Sequence, residues 1–324
     1  MQTRKLSWTG LNLSTIGLGT WAIGGTGWKH SWGPQDTGES ISTIQRALEL
    51  GINWIDTAPI YGLGHAEEVV GKAIKELGDK PIIATKCGLV WDKDRSISGC
   101  LKKESIHSEV EASLKRLKID VIDLYQIHWP MPDEDIEEAW STMADLIKEG
   151  KVRYAGVSNF SVEQLKRIQL IHPVASLQPP YNMVERGIEE ELLDYCSANN
   201  IRVIVYSPMQ KGLLTEKLTR ERVRNLPKDD HRREEPHFRE PKLSANLKLI
   251  EGLRSIAEKS GRTVAQLAIA WVLRHPKVNA AIAGARHPSQ IEETAIAAEW
   301  VVSKEDITAI ETLLDKRQKT LNLN

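Results

Sequence analysis

The chain reads as an α/β protein, a (β/α)8 barrel. Two observations predict this. Short apolar runs alternate with segments at helical spacing, and eight such pairs lie between residues 15 and 298. Three successive runs also stop at a polar group. These are Asn53-Trp54-Ile55-Asp56, Pro81-Ile82-Ile83-Ala84-Thr85-Lys86, and the run from Val121 to Ile127 that meets His128. A buried strand that ends this way carries its chemistry at its tip, and parallel α/β folds gather such tips at one mouth.

The elements follow in order. Residues 4–14 alternate apolar and polar around Thr9-Gly10, which predicts a hairpin. Residues 15–19 form the first barrel strand. Gly24, Gly25 and Gly27 make a loose loop after it, and no G-x-G-x-x-G precedes a helix. A helix over 38–50 carries Ile41, Ile44, Ala47 and Leu48 and ends at Gly51. The strand to Asp56 is followed by a helix over 67–77, stopped by Gly78. The strand to Lys86 leads into a loop with Trp91 and Cys100, then a helix over 104–117. The strand to His128 precedes a helix over 135–148, closed by Gly150. Strand five spans 152–157, and Ser161 is placed to cap the next helix. Strand six spans 174–177, a helix 188–198, strand seven 201–206, strand eight 278–283 and its helix 288–298. Residues 209–242 are polar and charge-dense, with Pro227, Pro236 and Pro241. That predicts a lid or a disordered segment. Two helices are expected in 243–275, the second from Thr263, and a last one over 303–314. No linker or internal repeat splits residues 1–324, so a single domain is expected.

The 324 residues carry 43 basic and 44 acidic side chains, a net charge of -1, which argues against nucleic acid or an acidic membrane surface as partner. No stretch approaches the ~20 apolar residues of a membrane helix. Cys87, Cys100 and Cys196 are widely spaced, which suits free thiols in a reducing, cytoplasmic setting rather than a metal site. No His-x-His occurs, which disfavours a metal-dependent barrel hydrolase. No apolar stripe is left over once the barrel is built, so a monomer is expected.

Asp56, Tyr61, Lys86 and His128, in this order and setting, resemble the catalytic tetrad of the aldo-keto reductases. The resemblance continues through Gly17-Leu18-Gly19-Thr20-Trp21, Gly156-Val157-Ser158-Asn159-Phe160, Gln178-Pro179-Pro180-Tyr181-Asn182, Tyr206-Ser207-Pro208 and Gly284-Ala285-Arg286. It covers nearly the whole chain and is nearest the bacterial type related to potassium-channel β subunits. It implies NADPH-dependent reduction of a small carbonyl substrate, an aldehyde or ketone, by hydride transfer, and a hairpin closing the barrel's bottom. No side chain donates hydride, so a nicotinamide cofactor is needed. Tyr61 is then the proton donor. A phenol's ordinary pKa of about 10 is high for neutral pH, and a Lys86 cation is expected to lower it. Asp56 is expected to hold Lys86, and His128 to donate to the carbonyl oxygen. The same fold can also serve as a cofactor-binding regulatory or sensor protein with little turnover.

The resemblance also distributes the cofactor contacts. Thr20, Trp21 and Asp56 lie on the nicotinamide side. Ser158, Asn159 and Gln178 hold its carboxamide, although Asn159 can equally cap the following helix. The Tyr206 ring stacks on the nicotinamide. Ser207, Pro208, Met209, Gly212 and Lys217 belong to the loop over the pyrophosphate, which is expected to close when cofactor binds. Glu216 stands where many relatives carry Gly. Gly284, Arg286, Gln290, Glu293 and Thr294 open the helix after strand eight, whose N-terminus suits an anion. Arg286 is assigned the 2′-phosphate and Gln290 and Glu293 the adenine, with Thr294 where Asn is frequent. Trp21, Trp91 and Trp129 can line a substrate pocket, Trp54 belongs to the core, and Cys87 is read as a buried, inert thiol.

Overall fold

The structure is a computed structural model that describes residues 1–322. β1 (Thr3–Lys5) and β2 (Asn12–Ser14) form the expected antiparallel hairpin. β3 (Ile16–Gly19), α1 (Thr37–Glu49), β4 (Trp54–Asp56), α2 (His65–Ala73) and β5 (Ile82–Cys87) follow. Next come the short strands β6 (Leu89–Trp91) and β7 (Ile97–Gly99), then α3 (Lys103–Leu117), β8 (Ile122–Ile127) and α4 (Ile136–Lys148). β9 (Val152–Ser158), α5 (Val162–Gln169), β10 (Ser176–Gln178), α6 (Leu192–Ala198) and β11 (Arg202–Val205) continue the alternation. The chain ends through α7 (Arg220–Arg224), α8 (Lys242–Lys259), α9 (Val264–Leu273), β12 (Val278–Gly284), α10 (Pro288–Ala295) and α11 (Lys304–Asn322). The eight parallel strands close in the order β3-β4-β5-β8-β9-β10-β11-β12. Ser161 caps α5 in a reciprocal box with Gln164, as its position predicts, and Thr263 does the same for α9 with Gln266.

Strand alternation sorts the side chains into layers. Trp54, Ala84, Leu124, Ala175, Ile204, Ala280 and Ile282 pack together inside the lower barrel, and Leu6, Leu11 and Leu13 of the hairpin region close it from below. One parity step up the same strands stand Asp56, Lys86 and Gln126. Gly17 is required by this layer: a Cβ there would lie 2.1 Å from the Trp54 indole. Helices cover the outside, and α9 is buried along its entire length.

Five expectations need correction. The loop with Trp91 and Cys100 is a β-ribbon: β6 and β7 pair antiparallel around a turn held by Asp92 Oδ1, which accepts from Asp94 N and Ser96 N at 2.9 Å each. The glycine loop is not loose: Gly24 lies against the backbone of Gly62, and a Cβ on Gly62 would stand 2.1 Å from Gly24 O. Residues 209–242 form a folded strap rather than a bare loop, because Leu226, His231, Arg232 and Phe238 are buried in it. The helix expected over 67–77 runs from His65 to Ala73, with its end tightened into the Leu77 N to Ile74 O turn. The helix expected over 303–314 continues to Asn322.

Candidate active site

β4 and β5 deliver Asp56 and Lys86 to the same level of the barrel interior. They pair at 2.7 Å, with the ammonium side chain 0% and the carboxylate 4% exposed. Lys86 Nζ also donates to Thr57 O at 2.9 Å and to Tyr61 Oη at 3.3 Å. An ammonium has three protons, and these three contacts use its full capacity. The other Asp56 oxygen accepts from Gln178 Nε2 at 2.8 Å, with Gln126 Nε2 3.5 Å away. A charge pair this deep persists only when its remaining hydrogen-bonding groups are met as well.

Tyr61 sits in the turn after β4, which the Gly24–Gly62 contact pins in place. His128 follows β8 and meets the Tyr61 ring edge-on, centroids 5.8 Å apart. Burial, with the Lys86 charge second, pushes the imidazole well below its ordinary pKa, so it is neutral near pH 7. Burial, with the Asp56 charge second, raises the Tyr61 phenol well above its ordinary value. This overturns the expectation that Lys86 lowers it. The ammonium is matched by Asp56, and removal from water dominates. Burial likewise pulls Lys86 down, against the opposing charge of Asp56.

The residues expected around a carboxamide form one network continuous with the tetrad. Tyr206 Oη donates to Asn159 Oδ1 at 2.9 Å, and Asn159 Nδ2 donates to His128 O and Ser158 Oγ at 3.0 Å each. Asn159 holds φ 62°, a left-handed conformation uncommon for a non-glycine side chain. It does not cap α5, since Ser161 does. Ser158 Oγ donates to Gln178 O, and Thr20 Oγ1 to Asp56 O. Trp21 stacks between Tyr61 and His231, at centroid distances of 6.3 and 4.8 Å.

After β11, the turn through Ser207, Pro208 and Met209 leads to three successive left-handed residues, Gln210, Lys211 and Gly212. Lys217 is exposed. Glu216 Oε1 accepts from Val264 N at the start of α9, at 3.2 Å. Past β12 and Gly284, the Arg286 guanidinium is turned onto the loop before α1, donating to Gln35 Oε1, Trp32 O and Pro34 O. Gln290 Oε1 accepts from Arg286 N, Thr294 Oγ1 bonds back to Gln290 O, and Glu293 O accepts from Gln266. The Gln290 and Thr294 side chains are thus partly committed to the helix itself, while Glu293 is engaged through its backbone carbonyl.

Sequence reasoning missed Gln126, Gly62, His231 and Arg232. Gln126 was legible, since alternation places it inward with Leu124, in register with Lys86. His231 and Arg232 were not, because they lie 200 residues from the Ser31 and Trp32 they pack on. Trp54 and Cys87 are buried as expected, and Trp129 is 40% exposed.

A family model described as the aldo/keto reductase family matches residues 15–315. The chain is 43% identical over 318 residues to the aldo-keto reductase YhdN of Bacillus subtilis, covering 97% of this chain and 94% of that protein. It is 34% identical over 333 residues to the NADH-specific methylglyoxal reductase of Escherichia coli, covering 98% and 100%. Among solved structures, the glycerol dehydrogenase AKR11B4 from Gluconobacter oxydans superposes with a TM-score of 0.88 at 39% identity, over 97% of this chain and 95% of that one.

Proposed function

The chain belongs to the aldo/keto reductase family of oxidoreductases, and we propose that it reduces aldehydes or ketones with NADPH, Tyr61 giving the proton. The observation that carries this reading is the buried series Asp56–Lys86–Tyr61 faced by a neutral His128. The nicotinamide supplies hydride to the carbonyl carbon when bound. The protein handles the oxygen. His128, neutral, can donate an N–H to it, and Tyr61 gives its proton as negative charge develops there. A raised phenol pKa suits this task, because the donor keeps its proton until a more basic alkoxide forms. Lys86, 3.3 Å away, stabilises the phenolate left behind.

The residues at the mouth suit a dinucleotide. Trp32 Nε1 and His231 Nε2 are buried without hydrogen-bond partners among the described residues. Burial first, then the neighbouring Arg232 charge, lower Arg286 against the opposing carboxylates of Asp230 and Glu39, with Arg222 adding a third guanidinium. Surplus positive charge favours phosphates, and Arg286 on the 2′-phosphate would select NADPH. The NADH-specific E. coli relative is the counter-case, so cofactor choice is the finer part of the proposal.

Absorbance of NADPH over a panel of carbonyl compounds tests the activity. Tyr61→Phe should lower kcat at least ~10²-fold, the scale of losing a general acid, while NADPH Kd stays nearly constant. Near-normal turnover in a folded Tyr61→Phe protein would remove Tyr61 from the chemistry.

A further inference from the structure

β5 and β8 end side by side, and one peptide unit joins them there. It is the amide between Cys87 and Gly88, one residue past Lys86. Its carbonyl, on Cys87, accepts from His128 N at 2.9 Å. Its N–H, on Gly88, donates to Glu109 Oε2 at 2.9 Å. Ser105 Oγ, one turn earlier in α3, donates to the other Glu109 oxygen at 3.0 Å. The Gly88 carbonyl accepts from Cys100 N at 3.1 Å, just past the β6–β7 ribbon. Gly88 stands at φ 88°, and a Cβ there would lie 2.6 Å from the Leu101 side chain. The turn thus has no side chain of its own to orient the amide, and its hydrogen bonds do so.

His128 is thereby held at both of its backbone groups. Its N–H is on Cys87 O, and its carbonyl accepts from Asn159 Nδ2 at 3.0 Å. The second hold belongs to the network around the barrel mouth. The first leads out through the barrel wall to α3. An amide polarises along its hydrogen bonds, so a carboxylate on its N–H makes the carbonyl at the other end a better acceptor. A charge-assisted bond is also roughly twice as strong as a neutral one. Glu109 faces Arg116 on its own helix, Glu67 from α2, and the Cys87 thiol and Tyr125 phenol from β5 and β8. From α4 the uncharged Met143 lies against Cys87. The Glu109 oxygens go to Gly88 and Ser105.

We infer that Glu109 is a positioning residue for this reaction: through the Cys87–Gly88 amide it fixes His128, and with it the N–H offered to the substrate oxygen. Glu109 stands on α3, outside the barrel wall, and acts through the backbone alone. The inference rests on the reductase reading above and adds to it a residue remote from the mouth.

Three variants test it on whichever carbonyl compound is reduced fastest. Glu109→Ala should lower kcat about 10-fold, inside the ~10²-fold that a misplacement of about 1 Å can cost. The substrate KM and the NADPH Kd should stay nearly constant. Glu109→Gln keeps an acceptor for the Gly88 N–H and should restore kcat to within about 3-fold. Ser113→Ala, one turn further along α3 and bonded to Glu67, should leave kcat as it is. An unchanged kcat in Glu109→Ala, no rescue in Glu109→Gln, or an equal fall in Ser113→Ala overturns the inference. Backbone amide shifts decide it without turnover. Ile-His occurs three times in the chain, ending at His107, His128 and His172. Carbonyl-labelled isoleucine with nitrogen-labelled histidine therefore isolates three amides, and Ile127→Val removes the signal of His128. In the unaltered protein the His128 amide should titrate with a midpoint near 7, where Glu109 ionises and above the range of the His128 imidazole itself. Glu109→Gln should abolish that step. A His128 amide that is flat through this range, or that titrates equally in the variant, overturns the inference. If no carbonyl compound is reduced, the reductase reading fails instead, and the amide titration alone decides whether Glu109 holds His128.

Discussion

Two adjacent residues of β5 make opposite uses of a buried carboxylate. Lys86 points into the barrel and holds Asp56. Thr85 points outward and donates to Glu67 Oε1 at 2.6 Å, while Arg116 Nε and Ser113 Oγ hold the other Glu67 oxygen at 2.7 and 3.3 Å. Both carboxylates are almost fully buried, and both meet one cation. The outer cluster resolves onto its own members and ties α2 and α3 to the barrel wall. The inner one sends a bond onward, from Lys86 to the phenol of Tyr61. A buried ion pair is thus no mark of a site; what distinguishes the inner one is the group it reaches beyond itself.

The largest effects should separate the two clusters. Lys86→Met and Arg116→Met each leave a carboxylate buried without its cation, which costs about 3–5 kcal/mol. Urea denaturation should show comparable losses. Turnover should fall at least ~10²-fold in Lys86→Met alone, whereas folded Arg116→Met should keep its kcat. Equal loss of turnover in both would erase the distinction.

The apolar floor beneath Asp56 gives the next test. Gly17→Ala drives a methyl into the Trp54 indole and should destabilise by about 1–3 kcal/mol or more, the usual scale of overpacking. Unchanged stability would mean that the lower layer is less tightly filled than its contacts show.

Glu109 sharpens the comparison from a third side. Its Oε2 accepts from Gly88 N at 2.9 Å, at the root of the ribbon, and Ser105 Oγ donates to Oε1. It has no ion-pair partner among the described residues, and burial raises its pKa to about 7. The folded state therefore binds this proton more tightly than the unfolded chain. The stability it contributes is present below the ordinary carboxylate range and is lost as pH rises towards 7. Denaturation at pH 5 and pH 8 should differ by an amount on the order of 1–3 kcal/mol, and Glu109→Gln should flatten the difference. A slope that persists in the variant would assign it to other groups.

The smallest expected effect concerns Arg286. Arg286→Ala should raise the NADPH Kd about 10-fold, the low end for a charged hydrogen bond, and change NADH little. Equal loss of both cofactors would make Arg286 a brace for the Trp32–Gln35 loop, which its present contacts also support.

The barrel and the hairpin were legible in the sequence, and so was the gathering of Asp56, Tyr61, Lys86 and His128 in one place. Alternation of apolar runs and helical faces is a local pattern, and polar strand tips interrupt it visibly. The Ser161 cap was legible for the same reason. The tertiary structure alone decided three things. The Tyr61 pKa follows from burial and from the matching of Lys86 by Asp56, neither of which a residue list contains. The ordering of residues 209–242 comes from His231 and Arg232 docking on Ser31 and Trp32, a contact that no local periodicity encodes. The meeting of the loops around Tyr61 comes from Gly24 and Gly62 lying backbone against backbone and from Arg95 reaching Gly27. Local sequence sets which groups are available. Their depth in the fold and their neighbours set the charge they carry and the partner they face.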